Sequence, residues 1–166
     1  MLDDFRLDAA SLGISREVAT ITQQALDLLR QYRAEIVSLP HQLIHSDIGP
    51  GNILFEGDKV VSIIDFTPGY EPDLYALCIS LFWYCVVDQP DILAQTRIPA
   101  AARIYREHHE VTSEEGNCFF ALMVRAAAYR LFTRLNARVE AGVDREVAPF
   151  SPGSTERMAG FVKRVL

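Results

Sequence analysis

The chain has 166 residues, 49% of them apolar, and a formal net charge of −6. That length supports one domain with a sizeable core, and the acidic balance argues against nucleic acid or an anionic membrane as a partner. Cys78, Cys85 and Cys118 lie in apolar helical patterns with no C-x-x-C pair and no metal-ligand spacing. They read as buried reduced thiols, which suits a cytoplasmic protein. The opening MLDDFRLDAA is acidic and lacks an apolar run, so no signal peptide is expected. The longest apolar stretch, residues 74–87, is too short to span a bilayer.

Residues 1–14 read as a leader. Ser15 is placed to cap a helix, and Val18, Ile21, Ala25, Leu28, Leu29, Tyr32 and Ile36 follow helical spacing. One helix is therefore expected over residues 16–37, stopped by Pro40. Three short apolar runs follow, at 42–45, 52–55 and 60–65, separated by Gly49-Pro50-Gly51 and Glu56-Gly57-Asp58. Their length, β-branched content and turn-rich borders predict strands. Asp47 stands just past the first run, Asn52 opens the second and Asp65 closes the third. Singly, Asp47 and Asn52 also suit ordinary turns, and Asp65 a strand-end cap. Together, two carboxylates and an amide oxygen at strand ends would suit a hard cation such as magnesium.

His45-Ser46-Asp47, with Asn52 five residues after Asp47, followed by Ile63-Ile64-Asp65-Phe66, resembles the catalytic core of the aminoglycoside phosphotransferase/choline kinase-like family. That family is built like protein kinases, with an H-x-D-x-x-x-x-N loop and I-D-F in place of D-F-G. The resemblance implies Asp47 as the catalytic group that orients the acceptor hydroxyl or takes its proton. It implies Asn52 and Asp65 as magnesium ligands at the ATP phosphates, and His45 as structural support of the loop.

Beyond Asp65, Pro68-Gly69 predicts a tight turn, and Glu71-Pro72-Asp73 the start of a buried helix reaching residue 87. Relatives resembling this chain carry P-x-x-D-L-A here, with the acid bracing the catalytic loop; Tyr75 occupies the matching position, with Asp73 as the nearby acid. Trp83 reads as core. Residues 88–91 form a predicted turn and 92–95 a single helical turn, and Pro99 opens a helix to about residue 110. Its adjacent His108 and His109 diverge by about 100°, which does not suit a shared metal. Thr112 and Glu115 have capping-box spacing before a long helix ended by Gly142. Arg125, Arg130, Arg134 and Arg138 on that helix read as a solvated ladder or, more sharply, as an anion or partner site. A loop at 143–153 precedes a last helix, capped by Ser154 or Thr155, with a Met158, Phe161, Val162 and Val165 stripe.

The expected fold class is thus α+β, mostly helical. By resemblance it is a protein kinase-like large lobe over residues 15–166, with a short β-hairpin region carrying the catalytic loop and the small lobe absent. Residues 1–14 would then be a leader or an interlobe remnant. Before the catalytic stretch there is one glycine, Gly13, and no lysine, so neither a phosphate-covering glycine loop nor a strand lysine is encoded there. The family likeness implies an ATP- and magnesium-dependent O-phosphotransferase of a small hydroxylated metabolite or aminoglycoside-like antibiotic. The competing expectation is a catalytically inactive binding or oligomerisation module. Either version would work as a homo-oligomer or with a partner that supplies the small lobe.

Overall fold

The computed structural model describes residues 13–87, 91–141 and 154–166. The expected leader, the turn from residue 88, the Gly142 helix stop and the loop at 143–153 lie outside them, apart from their edge residues.

The described chain is mostly helical, with two small antiparallel sheets. Helix α1 spans Arg16–Gln31, and the Ser15 hydroxyl accepts from the Val18 amide at 3.2 Å, as the cap position predicts. The single helix expected over 16–37 is broken at Tyr32 into α1 and a short α2, Arg33–Ser38. The break re-aims the chain so that Ile36 and Leu39 both reach the core.

Strands β1 (His41–His45), β2 (Ile53–Glu56), β3 (Lys59–Ile63) and β4 (Pro68–Pro72) follow. The first three match the three apolar runs to within a residue or two. The fourth corrects the expected turn at Pro68-Gly69: the segment is extended and pairs with β1, His45 opposite Pro68 and His41 opposite Pro72. Proline is tolerated because β4 pairs on one side only, so no second ladder needs its missing N–H. Strands β2 and β3 form a separate hairpin with a register shift between Leu54 and Phe55.

Helix α3 (Asp73–Leu81) continues as a π-helical turn, Phe82–Val87. Helix α4 (Asp91–His108) contains Pro99, where sequence reading expected a new start. The proline deprives the Gln95 carbonyl of its intrahelical donor, and exposed Gln95 faces water that can replace it. Helix α5 (Ser113–Ala141) begins with the expected capping box: the Thr112 hydroxyl accepts from the Glu115 amide, and the Glu115 carboxylate accepts from the Thr112 amide. Helix α6 (Ser154–Val165) closes the chain.

The core lies among α1, α3, the π turn, α5 and α6, with Leu26, Phe82, Leu122, Val124, Leu131, Leu135 and Val162 fully enclosed. Helix α3, expected to be buried, shares the centre of the core with α5, which is buried nearly all round from Ala121 to Ala128 except at Arg125. Removing a leucine-sized side chain from water contributes about 1.5–3 kcal/mol, so this layer dominates the stability. The β2–β3 hairpin is different: Leu54, Phe55, Val60, Val61 and Ile63 are all exposed.

The three cysteines are unpaired and buried, as expected. Burial pushes each thiol up from its ordinary value, which suppresses the reactive thiolate. The native chain at pH 8 is expected to leave all three unmodified by a disulfide-exchange reagent over minutes, with full reaction after unfolding in guanidinium. Rapid titration of any one in the native state would contradict this packing.

Candidate active site

The turn after β1 carries Asp47, and four hydrogen bonds tie it to the β2–β3 hairpin. The Asp47 amide donates to Nδ1 of His45 at 3.2 Å. Because Nδ1 accepts, the proton of the neutral ring sits on Nε2, which lies 3.2 Å from the carbonyl of Ile64 and donates to it. The Ile64 amide donates to the Asn52 carbonyl at 2.9 Å. Asn52 Nδ2 then donates to the Asp47 carbonyl at 2.8 Å. The path runs from His45 through Ile64 and Asn52 to Asp47 and back to His45, a closed ring. It places Asp47, Asn52 and the residue before Asp65 on one hydrogen-bonded frame.

Each link follows from local sequence. Antiparallel pairing of Ile53 with Ile63 sets Asn52 opposite Ile64. Asn52 turns its nitrogen to a carbonyl, which can only accept, so its oxygen is the end left for a cation. Phe66 packs its ring edge-on to His45, centroids 5.1 Å apart. The Ser46 amide and hydroxyl both donate to the Thr67 carbonyl, at 2.8 and 3.0 Å. Gly69 makes that approach possible, since a Cβ there would stand 2.9 Å from the Ser46 Cβ.

Asp65 has φ +52°, the left-handed region, and is the one non-glycine residue there among those described. Aspartate tolerates this conformation better than most residues, and such backbone clusters at functional positions. Its side chain is exposed and has no hydrogen bond or ion pair among the described residues. The donors offered by Asp47, Asn52 and Asp65 are all oxygen. That set fits a hard cation such as magnesium, which takes one or two protein ligands and completes its shell with phosphate and water. No cluster of three His, Cys, Asp or Glu residues among those described could hold a metal by itself.

Sequence reading missed how the long helix enters this site. The ladder on α5 is not a plain solvated face. Arg130 pairs its Nη2 with Asp47 Oδ1. Arg125 grips both oxygens of Glu71 at 2.6 and 2.7 Å and lies 4.5 Å over the Tyr75 ring. Only the four-residue recurrence of Arg130, Arg134 and Arg138 hinted that this face mattered, and it could not say which arginine reaches the loop. Trp83, expected as core, is half-buried: Gly49 packs against its indole, where a Cβ would stand 3.0 Å away, and Arg130 lies 5.4 Å over the ring.

Asp73, the candidate brace, faces elsewhere: it accepts from the Tyr105 hydroxyl at 3.1 Å and lies 3.6 Å from His109. His109 stacks on the Tyr105 ring, centroids 4.4 Å apart. Glu71 and Glu107 are held by Arg125 and Arg103. A cavity of about 600 Å³ opens between the π turn, α4, α5 and α6, lined by Cys85, Phe119, Met123 and Arg164 among others. None of Asp47, Asn52 and Asp65 lines it.

Residues 2–70 match the model of a family described as the phosphotransferase enzyme family, a match that contains the whole ring. Over that stretch the chain is similar to a kinase-like phosphotransferase family, and the likeness to individual relatives extends beyond it. It is 34% identical over 115 residues to the homoserine kinase of Zymomonas mobilis, an overlap of 69% of this chain and 36% of that protein. Similar values hold for the homoserine kinases of Polaromonas naphthalenivorans, 30% over 125 residues, and Rhodopseudomonas palustris, 32% over 130 residues. The matched part of this chain spans 39% of each of those two proteins. Among the described residues no helix is long and apolar enough to cross a membrane.

Replacing His45 by alanine strands the Asp47 amide and the Ile64 carbonyl, at a cost of about 1–3 kcal/mol. Amide hydrogen exchange should speed up first at Asp47 and Ile64 while α5 stays protected. Unchanged exchange at both amides would refute the ring.

Proposed function

We propose that the chain acts as an ATP- and magnesium-dependent O-phosphotransferase whose acceptor is a small hydroxylated metabolite. The observation that carries this reading is the closed ring of hydrogen bonds, which holds Asp47, Asn52 and the start of the Asp65 turn on one frame. Asp47 is the group that orients the acceptor hydroxyl and receives its proton. Asn52 Oδ1 and the Asp65 carboxylate are the ligands that would hold magnesium. Bound there, the ion would offset the negative charge that spreads over the transferring phosphoryl oxygens. His45 does no chemistry; it keeps the loop and the hairpin in register.

The relatives' names favour homoserine as acceptor over an aminoglycoside. A neutral ring and an exposed Asp65 carboxylate leave the polar side of the hairpin open to a charged nucleotide. The glycine loop and lysine that grip a nucleotide in this family would come from a partner or a longer parent chain.

A second reading, a catalytically inactive binding or oligomerisation module, draws on one observation. Ile64 and Phe66 beside the ring extend the exposed apolar face of β2–β3, and Leu43 and Tyr70 on the other sheet are also exposed. Exposed apolar side chains gathered on and beside a hairpin favour a contact surface, and we assign it to a second copy or to a small-lobe partner.

Phosphoryl transfer from ATP to homoserine is expected with magnesium and an added small lobe present, and Asp47→Ala should lower it by roughly 10²–10⁴-fold, the range for a lost general base. Full activity in that variant would remove Asp47 from the mechanism. Light scattering should give a mass above that of one chain, falling toward one chain in Phe55→Ser/Val61→Ser. A wild-type monomer with no partner would contradict the contact surface.

A further inference from the structure

Arg130 projects from α5, the helical layer, and meets Asp47 from there, whereas Asn52 and Asp65 stand on or beside the β2–β3 hairpin. The pair is neither sealed nor fully solvated: the Arg130 and Asp47 side chains are 32% and 35% exposed. Trp83 and Tyr129, at 5.4 and 6.0 Å, steady the guanidinium with their ring faces. A planar guanidinium offers five donors, and Asp47 Oδ1 uses one of them. Any hydroxyl brought to Asp47 therefore arrives beside a half-exposed fork that can take a second oxyanion. Arg134, one helical turn along, adds to the positive field. Burial and the charge of Arg130 both pull its guanidinium down from the ordinary value, so the two cations lie within each other's reach.

We infer that Arg130 is the specificity residue for a hydroxy acid: it binds the carboxylate of the acceptor while the hydroxyl of the same molecule sits on Asp47. This rests on the phosphotransferase reading above and deepens it, by assigning the residue that reads the carboxylate of the acceptor. Without acceptor, Arg130 lies on Asp47 and holds the loop by that contact. With acceptor, its fork is shared with or passed to the incoming carboxylate, and Asp47 is released toward the hydroxyl. Homoserine fits because a short run of carbons separates its hydroxyl from its carboxylate. An amino alcohol with no carboxylate would leave the fork on Asp47.

Trp83 is the chain's one tryptophan, and Arg130 lies over its ring, so acceptor binding should be visible in its emission. The full chain is titrated with homoserine, with 3-aminopropan-1-ol and with a non-hydrolysable magnesium–ATP analogue, by fluorescence and calorimetry. Homoserine should bind at least about tenfold tighter than the amino alcohol, the scale of one charge-assisted bidentate contact. Arg130→Met should erase the preference, so that homoserine and the amino alcohol bind that variant with equal affinity. Arg130→Lys, which keeps the charge but loses the fork, should recover part of the difference. Circular dichroism and urea midpoints check that both variants fold.

Equal discrimination in wild type and Arg130→Met would overturn the inference while leaving the phosphotransferase reading intact. Loss of nucleotide binding in that variant, with homoserine discrimination unchanged, would assign the fork to a phosphate and overturn it too. If wild type binds no homoserine but transfers phosphate to another acceptor without a carboxylate, both the homoserine assignment and the inference fall.

Discussion

The site depends on one neutral imidazole. His45 accepts from the Asp47 amide through Nδ1 and donates to the Ile64 carbonyl through Nε2. A ring with one donor and one acceptor closes this gap in both directions. The two remaining links, Ile64 to Asn52 and Asn52 to Asp47, complete a circuit in which every member is satisfied. Satisfied polar circuits shielded from water specify one geometry, whereas a circuit with a missing member costs more than an apolar replacement. His45 is buried and wedged by Phe66, which keeps water from competing for its nitrogens. Position thus precedes chemistry here: the residues assigned to catalysis hang from a frame that does none itself.

The helical layer serves that frame from the other side. Helix α5 is buried nearly all round in its middle, so its axis is fixed by packing. The arginines leave it at defined angles and land on defined carboxylates. Arg125 anchors β4 through Glu71, and β4 pairs with β1, the strand that ends in His45. Arg130 takes Asp47 itself. Gly49 allows Trp83, on the π turn after α3, to come up against the same loop. Core burial, which is non-directional, is in this way converted into placement of single polar atoms.

The apolar face of the β2–β3 hairpin sets a contrasting condition. Its residues have strand propensity but bury little, so hairpin pairing and the ring, rather than core packing, hold it to the molecule. An isolated two-stranded hairpin is marginal in water. The surface it offers is therefore joined to the same hydrogen bonds that order the candidate active site, and whatever covers it would also stiffen the Asn52 and Asp65 positions.

How much of this was legible in the residues depends on range. The Ser15 cap, the Thr112–Glu115 box, the first three strands and the His45, Asp47, Asn52 and Asp65 series are local patterns, set by covalent spacing and visible in one dimension. The break at Tyr32, strand β4 at Pro68-Gly69, helix α4 running through Pro99 and the landing points of Arg125 and Arg130 were not. In each, a local signal was outweighed by a partner distant in sequence: Glu71 lies 54 residues from Arg125, and Asp47 83 residues from Arg130. Periodicity tells which face of a helix is wet, but it carries no information about which wet side chain meets which loop. The sequence by itself determined the order of chemical groups around Asp47 and the class of protein they resemble. Only the tertiary structure decided that an arginine from the far helix closes on that aspartate, because long-range pairing is chosen by packing of the whole core and not by neighbours along the chain.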